Sequence, residues 1–199
     1  MDYGVPQSRK RVFTIFSKVE LDRPFPAETH KDKPLTLRDA IGHLPAIKAG
    51  ETCPTDAYHF TKAINERYES WMSATPEGHS AFENKDFDKQ PPVIDKVTGE
   101  RRLISAFGNA YKRMWWDKPA PTVTMNSGSI SSQTNVHPRD NRVLTIREIM
   151  LVQTIPDTYT FPEGTTEKKM RDVIGEAVPP LMFKLLADHL VKQFDNIQK

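Results

Sequence analysis

Sixteen prolines in 199 residues, against nine glycines, constrain this chain more than any other feature. Each proline fixes φ, removes a backbone donor and pushes the preceding residue out of the helical region. A chain punctuated this often is expected to carry many irregular connections and few long elements. The clearest long element begins where the prolines stop, at Pro179-Pro180. Beyond them Leu181, Met182, Leu185, Leu186, Leu190 and Phe194 recur at helical spacing and predict an amphipathic C-terminal helix.

Shorter elements precede it. Val12-Phe13-Thr14-Ile15-Phe16 is a β-branched and aromatic run, expected to be a strand. Thr36, with Asp39 three residues on, caps a short helix through Leu37, Ala40, Ile41 and Leu44 that Pro45 stops. Ile64, Tyr68 and Trp71 predict a second amphipathic helix over 61–72. Thr145 with Glu148 forms another capping box, and Pro156-Asp157 turns the chain after it. Thr166 to Ile174 predicts a helix closed by Gly175. From Thr75 to Gly108 no period is visible, and 110–132 reads as short strands and loops. The ends therefore look ordered and the middle variable.

Composition narrows the function classes. A net charge of +2 is too small to argue nucleic-acid binding by itself, so local clusters must carry that argument. With Cys53 as the only cysteine, neither an intrachain disulfide nor a cysteine-based zinc site can form, and no metal site is expected. There is no long apolar run and no leader-like segment. A cytoplasmic protein without membrane partners is the expectation.

Three clusters carry possible chemistry. Gln7-Ser8-Arg9-Lys10-Arg11 puts three cations beside a strand, able to hold phosphates or a carbonyl oxygen, or simply forming a solvated charge run. Arg142-Val143-Leu144-Thr145-Ile146-Arg147-Glu148 reads in isolation as a capped helix with surface arginines. Gly175-Glu176-Ala177-Val178-Pro179-Pro180 reads as a helix junction with glycine as cap and proline at a helix start.

In this order the clusters become specific. YGVPQSRKRVFTI resembles the eighth motif of DNA (cytosine-5)-methyltransferases, Gln-x-Arg-x-Arg. HPRDNRVLTIREIMLVQTIPDTYTFPEG resembles the ninth, and IGEAVPP the tenth, whose usual asparagine is Glu176 here. The family keeps its target-recognition region between the eighth and ninth motifs. The resemblance implies an α/β fold, with a partial Rossmann-like methyltransferase core (edge strand and C-terminal helix) plus a small mixed target-recognition domain. It implies a core piece at 1–45, the recognition domain at 46–165 and a return to the core at 166–199.

The family's chemistry flips cytosine out of the duplex and adds a thiolate at C6, driving charge toward N3 and O2. By resemblance, Arg11 approaches cytosine O2, while Arg9 and Gln7 shape that wall and hold the adjacent backbone. Glu176, Ala177 and Val178 fall where the family binds S-adenosylmethionine. The Gly-rich methyl-donor loop, the Pro-Cys nucleophile and the Glu-Asn-Val acid, which lie upstream of the eighth motif in the family, are absent from this sequence. They would come from an N-terminal methyltransferase subunit or segment, and S-adenosylmethionine would bind only with it. Cys53 follows the eighth motif and is read as incidental.

Reading of double-stranded DNA would fall to Thr124, Met125, Asn126 and Ser127, short side chains on a Gly-containing loop that can reach base edges, or equally an ordinary turn. Lys112, Arg113, Arg139 and Arg142 would hold phosphates. Trp115 and Trp116 are expected in a core or junction. Three functions remain open: the DNA-recognition part of a two-chain cytosine-5 methyltransferase, inactive alone; a non-enzymatic DNA-binding module; or a truncated inactive fragment. An RNA cytosine methyltransferase is disfavoured by the length of the middle region.

Overall fold

The structure, a computed structural model, describes residues 1–102 and 108–197. Its elements are β1 (Gln7–Ser8), α1 (Leu37–Ile41), α2 (Glu66–Ser73), β2 (Val93–Ile94), β3 (Arg101–Arg102), β4 (Ala120–Pro121), α3 (Ile146–Val152), α4 (Glu167–Glu176) and α5 (Pro180–Ile197). A 3₁₀ turn, Met125–Gly128, follows β4. The architecture is α/β, with two small sheets. β1 pairs in parallel with β4, Gln7 opposite Ala120 and Ser8 opposite Pro121. β2 and β3 form an antiparallel hairpin.

Helix starts follow from local capping. Thr36 Oγ1 accepts from the Asp39 N–H at 3.2 Å while Asp39 Oδ2 accepts from the Thr36 N–H at 2.8 Å. Thr145 and Glu148 repeat the box at α3. Thr166 caps α4, and Asn65 caps α2. The second helix starts at Glu66 rather than 61: Asn65 Oδ1 accepts from the Tyr68 N–H at 2.9 Å, whereas the buried Thr61 hydroxyl makes no such bond.

Two expectations are corrected. Val12–Phe16 is not a strand; Val12 is 94% and Phe16 91% exposed, and no described strand pairs with the run. The strand is β1, just upstream. Strand propensity measures fit to a neighbouring pleated surface, and none of the described residues offers one to 12–16. Gly175 does not close α4 from outside but lies within it, and Ala177 is the cap. A Cβ on Gly175 would sit 2.3 Å from the Met125 nitrogen. The glycine permits a close helix–turn approach instead of a left-handed cap.

The principal core joins α1, the β4 region, α3 and α4 through Leu37, Ile41, Val123, Ile146, Ile149 and Ile174. A second cluster gathers Trp71, Met72, Ala81, Ile130 and Val136, with Tyr68 and Tyr111 against it. Trp116 packs on the first core, whereas Trp115 is 40% exposed under Lys118. The 75–108 stretch holds two 3₁₀ turns and the β2–β3 hairpin, and its residues 103–107 lie outside those described. On α5, Met182 and Leu186 are buried while Phe183, Val191 and Phe194 face outward. Among the described residues no helix is long and apolar enough to cross a membrane, and none group into a metal-binding cluster.

Candidate functional site

An open cleft of about 580 Å³ brings the first and third clusters together: Gln7, Arg9 and Arg11 line it with Glu176 and Val178. Phe13, Phe25 and Met182 supply apolar wall. Gln7 is fully buried. Its Oε1 accepts from the Val123 N–H at 2.9 Å, and its Nε2 donates to Gln153 Oε1 at 2.7 Å. Arg9 donates from Nη1 to the Val123 carbonyl at 2.8 Å and from Nη2 to the Gly175 carbonyl at 3.1 Å. Burial and the neighbouring Arg11 charge both lower the Arg9 pKa, and it stays cationic because arginine titrates far above neutrality. Arg11 is exposed, and among the described residues its hydrogen bond goes to the Lys10 carbonyl at 2.6 Å. Gln7 and Arg9 thus tie backbone, whereas Arg11 keeps donors for a ligand.

The 3₁₀ turn at Met125–Gly128 presents Met125, 49% exposed, and an exposed Asn126 to an open groove of about 680 Å³ shared with Lys62, Tyr68 and Lys168. Thr124 is half-buried. Ser127 departs from expectation: it is buried, and its Oγ accepts from Arg171 Nη1 at 3.4 Å. It supports the turn from beneath and is not presented to a base edge. Asn135, which sequence reasoning missed, braces the same turn by donating to the Asn126 carbonyl at 3.0 Å and the Ser132 carbonyl at 2.7 Å.

Two of the four expected phosphate holders are corrected. Arg113 is 3% exposed and donates to the carbonyls of Thr75, Met72, His137 and Asp140 and to Asn141 Oδ1. Arg142 is 1% exposed and forks onto Glu148 at 2.7 and 2.9 Å, with Asp140 Oδ2 at 2.9 Å. A guanidinium whose donors are spent inside the protein has none left for a phosphate. Arg139 is exposed, pairing with Asp140 at 2.8 Å, and Lys112 is half-buried.

A buried histidine completes the Arg142 cluster. His137 Nδ1 accepts from the Asp140 N–H at 2.9 Å and the Arg139 N–H at 3.3 Å, which fixes the proton on Nε2. Burial foremost, then the Arg142 charge, pushes its pKa down to about 4, against the opposing pull of Glu148 and Asp140. Burial would raise the Glu148 pKa, but the Arg142 hydrogen bonds and charge hold it below the usual value. This cluster is a neutral histidine beside a compensated ion pair. Cys53 is free and buried and does not line the cleft.

A solved prophage-encoded protein of E. coli, described as a putative DNA modification methyltransferase, superimposes with a TM-score of 0.56 at 16% identity, over 98% of this chain and 58% of that one. The fold is thus shared with that protein. The family model of C-5 cytosine-specific DNA methylases matches residues 1–192, and the chain belongs to that family. Type II methyltransferase M1.HgaI of Avibacterium volantium is 35% identical over 92% of this chain and 51% of its own length. M.DdeI of Desulfomicrobium norvegicum is 32% identical over 98% of the chain and 53% of its own length. The chain spans about half the length of these curated relatives.

Proposed function

We propose that this chain is the DNA-recognition part of a cytosine-5 DNA methyltransferase, completing a flipped-cytosine site whose nucleophile and general acid lie on another segment or subunit. The observation that carries this is the single cleft lined by Arg9, Arg11, Glu176 and Val178, drawn from opposite ends of the sequence. Arg11 alone of that set has an exposed guanidinium with donors to spare. It would donate to cytosine O2, where charge grows when a thiolate adds at C6. Gln7 and Arg9 hold the wall behind it. The thiolate would not be Cys53, which is buried elsewhere.

The residues also fit one end of a methyl-donor site. Apolar surface from Val178 and Met182 lies beside the Glu176 carboxylate, and a nucleoside with an attached sulfonium presents both an apolar face and hydroxyl donors. S-adenosylmethionine would supply the methyl group when bound. Glu176, Ala177 and Val178 would border it, with the rest of the pocket on the other segment. The chain alone is inactive under this reading. Residues 12–16 and the outer face of α5 carry exposed apolar side chains, which suits docking of that missing segment. The organisation into a core piece at 1–45, a recognition domain at 46–165 and a core return at 166–199 belongs to the same proposal.

For DNA, the exposed Met125 and Asn126 would read base edges, flanked by Lys62 and Lys168 on phosphates, with Arg139, outside that groove, holding phosphate elsewhere. The test is selection from a random-site DNA pool by the assembled enzyme. Met125→Ala and Asn126→Ala should reorder the preferred sites, at about 1–3 kcal/mol for each lost base contact. Lys168→Ala should weaken all sites alike and reduce the salt dependence. Loop variants that weaken every site equally would remove the loop as reader. No preferred site at all would favour the inactive-fragment alternative.

A further inference from the structure

We propose that Gln153 and Thr154 are positioning residues that fix the turn Glu176–Pro179 at the methyl-donor side of the cleft, an inference that rests on the function proposed above. The last carbonyls of a helix have no intrahelical partner and are ordinarily met by N–H groups just beyond it. Here Pro179 and Pro180 follow, and proline has no N–H. The Ala177 N–H meets the Val173 carbonyl at 3.1 Å, and the carbonyls after it are satisfied from elsewhere.

The structure supplies the partners. Gln153, fully buried, donates from Nε2 to the Ile174 carbonyl at 2.6 Å and to the Ala177 carbonyl at 3.2 Å. Its Oε1 is occupied by Gln7 at 2.7 Å. Arg9 takes the Gly175 carbonyl. The next residue, Thr154, attends to the far side of the same turn: its Oγ1 accepts from the Leu181 N–H, an orphan donor of α5, at 3.2 Å. One dipeptide thus caps the C-terminus of α4 and the N-terminus of α5, with the Glu176–Pro179 turn between them.

Thr154 does this at φ +58°, the left-handed region, which a β-branched residue rarely occupies. Such strain persists only where the surroundings over-determine it, and it concentrates at functional sites. A glycine would adopt this backbone freely but would leave Leu181 without its acceptor. The hydroxyl, not the backbone, is what the position requires. The turn so held presents Glu176, Val178 and Pro179 to the cleft.

Hydrogen exchange on the chain itself, together with calorimetric titration of the assembled enzyme with S-adenosylhomocysteine, tests this. Thr154→Gly relieves the backbone strain and removes Oγ1, so overall stability should change little while the Leu181 amide loses protection. Thr154→Ser keeps the hydroxyl and should restore that protection. Gln153→Met keeps the volume without the donors and should loosen the amides around 174–178. Both Thr154→Gly and Gln153→Met should weaken S-adenosylhomocysteine binding by roughly tenfold, the equivalent of one or two lost hydrogen bonds, with duplex affinity unchanged. Exchange that quickens evenly through α3 and the core, or S-adenosylhomocysteine affinity left at the unsubstituted value, would overturn the proposal. If the unsubstituted assembly bound no S-adenosylhomocysteine, the functional reading would fail, and exchange at Leu181 and 174–178 would still decide whether the pair holds the turn.

Discussion

Two regions of this molecule use arginine in opposite ways. Around His137, Arg113 and Arg142 are sealed inside and spend their donors on carbonyls and carboxylates. At the cleft, Arg11 stands exposed and bonds to the neighbouring Lys10 carbonyl. The same side chain is architecture in one place and available for chemistry in the other. The difference is one of desolvation. A buried guanidinium is tolerable only when its donors are met, and once met they cannot serve a ligand. An exposed one costs the fold little and keeps its fork open.

The buried arginine should be the costlier of the two to remove. Arg142→Met leaves Glu148, 2% exposed, without its counter-charge, and should cost about 3–5 kcal/mol in urea unfolding. Arg11→Ala should stay within about 0.5 kcal/mol of the unsubstituted chain, as surface changes do. Equal losses at the two positions would abolish the distinction.

Acid should find the same buried region next. His137 is held near pKa 4 in the folded state, against the ordinary histidine value of 6.5 that it regains on unfolding. The unfolded chain therefore takes up its proton first. Stability is fully present above about pH 6.5 and falls as the pH drops toward 4, by about 3 kcal/mol across that window. His137→Asn keeps an acceptor without titrating and should flatten the slope between those pH values. An unchanged slope would show that His137 is not the group responsible.

Gly175, whose carbonyl takes Arg9 of the cleft, tests the packing of α4 on the Met125–Gly128 turn with a smaller effect. Alanine is favoured over glycine inside a helix by about 1 kcal/mol. Its Cβ, however, would meet Met125 and Thr124 backbone at 2.3 and 2.5 Å. Overpacking against backbone costs about 1–3 kcal/mol, so the steric loss should win. A stabilised Gly175→Ala chain in thermal unfolding would contradict the close approach of α4 to the Met125–Gly128 turn.

How far the sequence reaches depends on the range of the interaction involved. The starts of α1, α3 and α4 are legible at Thr36, Thr145 and Thr166 because a cap and its partner sit three residues apart. β1 is hidden behind the more strand-like Val12–Phe16 because its pairing with β4 joins distant segments, and β-branched content does not report the partner. Gly175 reads as a cap because a glycine near a helix end does not reveal what presses on it. The family motifs mark Gln7, Arg9, Arg11 and Glu176, which the fold does gather in one cleft. Nothing in the spacing of Arg113 or Arg142 distinguishes a phosphate holder from a buried clasp. Gln153 and Thr154 leave no local signal because their partners lie more than twenty residues away in sequence.

The proposed function makes this chain the recognition half of a methyltransferase site, with Arg11 as its contribution to the reacting base. The most direct measurement is 5-methylcytosine formed from labelled S-adenosylmethionine on duplex DNA. It is made with the chain alone, with the chain assembled on an N-terminal methyltransferase segment, and with the same assembly carrying Arg11→Ala. The account predicts no product from the chain alone, product from the assembly, and a fall of about 10²- to 10³-fold in turnover for Arg11→Ala, the usual loss when a donor to a developing oxyanion is removed. Methylation by the chain alone, or an Arg11→Ala assembly turning over within a few-fold of the unsubstituted one, would contradict it.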